Sequence, residues 1–196
     1  MPGKFITIEG LDGSGLSTQA VMLNEYLNKQ GIQTVLTKEQ TDSIIGGLIK
    51  SSLREEWKVS PLALQLLFAA DRAHHMASEI LPALEKGKIV ICDRYILSTL
   101  AFGSLDVDMT YLKQINEKFP EPNITLIIDV PVDECLSRIR QSREGRELFE
   151  EREKLEKVRK NYMALENHFM NTHIVDGSGS KDDVAERIRR IVDRMM

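Results

Sequence analysis

The chain alternates between short apolar runs and longer stretches with helical spacing. The runs at 5–9, 33–38, 89–92, 124–130 and 173–175 are too short for helices and rich in β-branched residues, which predicts five strands. Ile89-Val90-Ile91-Cys92 has no polar break, as expected of a strand buried on both faces of a parallel sheet. Between the runs, Ala20, Leu23, Tyr26 and Leu27 recur at helical spacing and predict a helix over 17–30 that Gly31 ends. Ser60-Pro61 supplies a cap and a first-turn proline for a long helix reaching residue 85, bent or broken near Pro82 and closed by Gly87. Further helices are expected over 43–53, with a start weakened by Gly46-Gly47, and over 98–102, 109–118, 132–140, 149–170 and 181–195. Strands alternating with helices build βαβ units, so the expected fold is α/β, a five-stranded parallel sheet with helices on both faces. At 196 residues, with no repeat or linker, a single domain over 1–196 is expected.

The first strand runs into Gly10-Leu11-Asp12-Gly13-Ser14-Gly15-Leu16-Ser17-Thr18. A strand, a glycine-rich turn and a helix start form the setting of a phosphate-binding P-loop. Such a loop aims successive backbone N–H groups at phosphate oxygens, and the helix behind adds the positive end of its dipole. Ser17 stands where a hydroxyl ligand for Mg²⁺ is needed, and Thr18 adds a polar contact. Asp12 places a carboxylate inside the loop, toward the phosphoryl acceptor, although aspartate is also common in plain turns. The position that should hold lysine holds Leu16. Loss of one preorganised cation costs roughly 10²–10³ in rate, so the motif alone leaves open a simple turn between strand and helix.

Three further groups bear on that choice. Asp93-Arg94-Tyr95 closes the third strand, at the sheet edge where ligands bind in open α/β folds. A carboxylate and a guanidinium there suit metal-bound water and phosphate, or else an ordinary ion pair. Phe68 and Arg72 lie four apart on one helix face, suiting a planar base or a core ring beside a surface arginine. Arg138, Arg140, Arg143, Arg146 and Arg152 surround Gly145 and suggest a mobile lid over about 141–152, though five nearby glutamates also fit a solvated surface.

Composition narrows the classes. A net charge of −4 disfavours nucleic acid and anionic membranes as partners. Cys92 and Cys135 sit in apolar stretches as buried thiols, and the chain enters its first strand by residue 5, so a cytoplasmic location is expected. No apolar run is long enough to cross a bilayer.

Taken in order, Ile8-Glu9-Gly10-Leu11-Asp12-Gly13-Ser14-Gly15, Phe68-Ala69-Ala70-Asp71-Arg72, Asp93-Arg94-Tyr95 with Ser98 and Thr99, and Val175-Asp176-Gly177-Ser178 resemble the motifs of the thymidylate kinase family. The resemblance covers almost the whole chain. It implies phosphorylation of dTMP to dTDP by ATP with Mg²⁺, in dTTP biosynthesis. It places the ATP phosphates on residues 10–18, stacks thymine on Phe68, and gives Arg72 the base O4. Arg94 would hold the monophosphate, with Tyr95, Ser98 and Thr99 around the nucleotide. Asp12 would approach the sugar hydroxyl. Ser17 would bind Mg²⁺, with Asp93 and Glu9 acting through water. It also implies a homodimer, and lid arginines, here Arg143 and Arg146, at the transferring phosphoryl. Two departures stand out: Leu16, and Lys38-Glu39-Gln40-Thr41, where the family carries a proline beside an arginine or glycine. A kinase for dUMP or CMP, and a silent nucleotide-binding relative, are the alternative readings. An arginine beside the base favours a 4-keto group, because it can only donate.

Overall fold

The structure, a computed structural model, describes residues 3–142 and 148–195. The central positions of the expected lid, including Arg143 and Arg146, lie outside the described residues.

Five parallel strands form one sheet in the order β2-β3-β1-β4-β5: β1 (Lys4–Gly10), β2 (Thr34–Lys38), β3 (Ile89–Asp93), β4 (Ile124–Asp129) and β5 (Thr172–Asp176). The three central strands are buried on both faces along nearly their whole length, which explains their largely apolar sequences and the unbroken run Ile89-Val90-Ile91-Cys92 in β3. The chain leaves β1 leftward to β2 and thereafter moves rightward. Right-handed crossovers therefore put α1 (Leu16–Lys29) on one face and the helices of the later connections on the other. The last helix, α9 (Lys181–Met195), packs back on α1. The opposite face carries α4 (Leu81–Glu85) on β3 and α5 (Ile96–Gly103) on β1, with α8 (Leu148–Ala164) packed on α5.

Because β1 lies between β3 and β4, the connections leaving it and β3 diverge, and a crevice opens at the carboxyl ends of these strands. The loop after β1 and the turn after β3 both project there.

The expected helix starts are present. Ser60 accepts from Ala63 N at 3.3 Å and Pro61 opens α3 (Pro61–His75). Ser43 caps α2 (Ile44–Leu53) through Gly46 N at 3.1 Å. Gly46 does not weaken that start. It lets the helix close on Thr41, whose carbonyl oxygen lies 2.1 Å from where a Cβ would stand.

One expectation is met and one boundary differs. The long α-helix is interrupted just before Pro82, where it widens into a π-helical turn over Met76–Ile80. Pro82 has no N–H to return to that turn, and the wider winding accommodates the loss. The charged helix expected over 149–170 ends at Ala164, where Leu165 and Phe169 fold onto the core through tight turns. The remaining helices that position the site are α6 (Met109–Asn116) and α7 (Val132–Ser142). Among the described residues no helix is long and apolar enough to cross a membrane.

Candidate active site

The glycine loop is built from residues that only its sequence permits. Gly10, Gly13 and Gly15 have φ of 149°, 80° and 93°, in a region L side chains rarely adopt. At Gly13 space is also decisive: a Cβ would stand 2.5 Å from the Cys135 carbonyl oxygen, so the loop rests directly on α7. Helix α1 begins at Leu16 with no side-chain cap and no acidic residue in its first turn. Its first N–H groups are thus left for an anion.

Leu16 turns away from that anion site. It is 6% exposed and belongs to the core beneath the loop. Ser17 and Thr18 are exposed, and Ser17 Oγ donates to Asp93 Oδ2 at 2.5 Å. A hydroxyl and a carboxylate side by side at the loop are hard oxygen donors of the kind Mg²⁺ uses when phosphates and water complete its shell.

Across the crevice, Arg94 Nη2 donates to Asp12 Oδ1 at 2.6 Å and Nη1 to the Gly10 carbonyl at 3.0 Å. The guanidinium also lies 5.3 Å over the Phe102 ring. Arg94 has φ 72°, a left-handed conformation for a residue with a side chain. Such strain costs about 1–3 kcal/mol and persists where surroundings over-determine it; here the loop carbonyl, Asp12 and Phe102 do so.

Beneath Arg94 is a network the sequence reading placed differently. Glu9, expected near the metal, has no exposed surface. Its Oε1 accepts from Tyr95 N at 2.9 Å, and its Oε2 accepts from Ser98 Oγ at 2.5 Å and Tyr162 Oη at 3.5 Å. Burial pushes its carboxyl up to about 7, against the opposing effects of the Ser98 hydrogen bond and the Arg94 charge. Glu9 therefore braces the crevice wall from within the core. Ser98, expected at the nucleotide, is part of the same brace, and Arg94 Nη1 reaches it at 3.2 Å.

Arg72, expected at the base, is 1% exposed and held tightly. Its Nε and Nη2 donate to Glu39 Oε2 at 3.0 and 2.7 Å, Nη2 also donates to Thr99 Oγ1 at 3.0 Å, and Nη1 donates to Asn116 Oδ1. Of the five donors of a guanidinium, one on Nη1 is left over. Tyr95 and Phe119 lie at 5.0 and 5.7 Å from its centre. Tyr95 is buried, its hydroxyl donates to the Pro120 carbonyl at 3.1 Å, and burial raises its pKa. It supports Arg72 from below. Phe68, one turn earlier on α3, is half-buried.

Sequence reasoning missed Asn116 and Tyr162 and quoted Glu39 and Asp71 only within motifs, without a role; Asp71 accepts from Thr41 N and Oγ1 at 2.8 and 2.6 Å and pins the loop after Glu39. An acid immediately after β2 was the one available signal.

The loop after β5 comes up beside the glycine loop. Ser14, Gly15, Thr18, Gly177, Lys181 and Arg138 are among the residues lining a cavity of ≈310 Å³. Arg187 Nη1 donates to the carbonyls of Asp176 and Ser178 at 2.8 and 2.6 Å and holds that loop.

Backbone N–H groups, a hydroxyl beside a carboxylate and a guanidinium thus converge on one crevice at the switch point of a parallel sheet. That geometry defines a P-loop phosphotransferase. A family model described as thymidylate kinase matches residues 8–188. Similar proteins include the probable thymidylate kinase of Pyrococcus abyssi, 42% identical over 198 residues that cover 98% of this chain and 97% of the relative. The thymidylate kinase of Caldicellulosiruptor saccharolyticus is 32% identical over 203 residues, covering 100% and 98%. That of Desulfotalea psychrophila is 42% identical over 160 residues, covering 80% and 79%. The chain belongs to the thymidylate kinase family.

Proposed function

We propose that the protein transfers the γ-phosphoryl group of ATP to dTMP, forming dTDP and ADP. The observation that carries this reading is the bridge from Asp12 to Arg94, which ties the loop after β1 to the turn after β3. Donor phosphates on the loop and an acceptor phosphate on Arg94 then face each other across the crevice. Phosphoryl transfer asks mainly for such positioning and for neutralised charge.

In this reading residues 10–18 hold the donor's phosphates through backbone N–H groups. Ser17 and Asp93 hold Mg²⁺, which when bound neutralises charge between the phosphates. Arg94 binds the dTMP phosphate, and Asp12 orients Arg94 while lying beside the sugar. Phe68 stacks on the base. The donor of Arg72 not spent on protein partners meets O4, and its rigid holding by Glu39, Thr99 and Asn116 fixes where that donor points. Cytosine offers an amino group at that position and is disfavoured. A cytoplasmic homodimer fits the same reading: Leu62 and Leu66 of α3 are 45% and 44% exposed, one turn apart, beside exposed Ile44 and Leu48 of α2.

Coupled measurement of ADP with dTMP, dUMP and CMP tests the reading. Turnover is expected with dTMP and is expected to be at least tenfold weaker with CMP. Binding of dTMP without turnover would favour a silent nucleotide-binding protein instead.

A further inference from the structure

Leu16 leaves the glycine loop without its expected cation, and the fold brings one from elsewhere. We propose that Arg138, carried on α7, gives the donor's phosphates the positive charge that Leu16 withholds. The proposal rests on the phosphotransfer reading above.

The loop and α7 are in direct contact. Gly13 sits on the Cys135 backbone, and Arg138 lies one helical turn further along α7. Its Nη1 donates to the Gly13 and Ser14 carbonyls at 3.4 and 3.3 Å. A Cβ on Gly15 would find this Nη1 as its nearest neighbour, at 3.9 Å. The guanidinium thus stands beside the glycine that precedes Leu16, while the Leu16 side chain itself is buried in the core. With a third of its side-chain surface exposed, Arg138 borders the ≈310 Å³ cavity together with Ser14, Gly15, Thr18 and Lys181.

The chemistry suits the role. The bonds to the two carbonyls are long and Glu134 takes Nη2 at 2.5 Å, so these contacts use at most three of five donors. Glu134 is 39% exposed, so its hold on the guanidinium is screened by solvent. A triphosphate offers several charged oxygens and competes for the same group through stronger charge-assisted bonds. A planar guanidinium can stay anchored to loop carbonyls through one edge and present another to phosphate, which a lysine ammonium cannot.

A merely structural clip would need only donors to the loop carbonyls, and glutamine keeps donors without charge. Steady-state kinetics and calorimetric titration with ATP·Mg²⁺ on the full chain separate the two roles. Arg138→Gln is expected to lower kcat/KM for ATP by about 100-fold, with KM for dTMP changed less than threefold and thermal unfolding unmoved. Arg138→Lys is expected to stay within about tenfold of the parent, because it keeps the charge. An Arg138→Gln variant retaining more than a third of parental kcat/KM would overturn the proposal, and so would equal losses in the Gln and Lys variants. If the parent itself fails to turn over dTMP, the phosphotransfer reading has failed. The ATP·Mg²⁺ titration then still decides about Arg138, with weaker binding expected in Arg138→Gln and unchanged binding counting against the proposal.

Discussion

Arg94 Nη2 donates to Asp12 Oδ1 at 2.6 Å and joins two strand ends that are 82 residues apart in sequence. The pair is unequal: the Asp12 side chain is 64% exposed, whereas that of Arg94 is 20% exposed. An exposed ion pair contributes at most about 1 kcal/mol to stability, so its purpose is positional. Asp12→Ala is therefore expected to lower kcat by roughly 10²-fold while moving the unfolding midpoint by no more than about 2 °C. Steady-state rates beside thermal melts check this; a large loss of stability with little loss of rate would contradict it.

The second pair behaves in the opposite way. Arg72 and Glu39 are almost fully buried, with side chains 1% and 4% exposed. Removing one partner of such a pair leaves a buried charge and costs about 3–5 kcal/mol. Glu39→Ala is expected to destabilise by that amount in urea unfolding and also to raise KM for dTMP, because Arg72 loses its fixed direction. A stability change below about 1 kcal/mol would show that the pair is not the anchor described here.

Glu9 makes stability depend on pH. Its folded-state value is raised from 4.5 to about 7 by burial. A carboxyl that is harder to ionise when folded binds protons better folded than unfolded, so it disfavours folding once it must ionise. The penalty is absent below about pH 4.5, grows between about 4.5 and 7, and is constant above, reaching about 3 kcal/mol. Glu9→Gln should remove this component. Urea unfolding at pH 5 and pH 8 is expected to show the parent losing stability between the two and the variant losing less; parallel behaviour would remove Glu9 as the source.

Leu16→Lys tests what the leucine does. Its side chain is part of the core beneath the loop, and replacing a buried leucine there is expected to cost about 2 kcal/mol. With Arg138 supplying the charge, the added lysine is expected to raise kcat/KM for ATP by less than about tenfold. A gain of 10² or more, near the full worth of such a cation, would mean that nothing replaces it.

The third strand was readable because burial on both faces leaves no polar interruption at Ile89–Cys92. The glycine loop was readable because positive φ at Gly10, Gly13 and Gly15, with close packing at Gly10 and Gly13, admits little else. The partners were not. Glu39 reaches Arg72 across 33 residues and Tyr162 reaches Glu9 across 153, and neither distance leaves a periodic trace. Ser98 and Tyr95 sit beside Arg94 in sequence and looked like its companions at the nucleotide. A helix start and a strand end instead turn them into the wall, where they brace Glu9 and Arg72. The arginines flanking Gly145 drew attention by spacing alone. Arg138 stands on the loop because Gly13 seats α7 there, a contact between segments over a hundred residues apart.

The central claim is that this crevice carries out phosphoryl transfer to dTMP without a loop lysine. Its most direct test is ADP release by the unaltered protein with ATP, Mg²⁺ and dTMP, against the same mixture lacking dTMP. Turnover of about 1 s⁻¹ or faster that requires dTMP is the predicted result. ADP release that is absent, or that proceeds equally without dTMP, would contradict it.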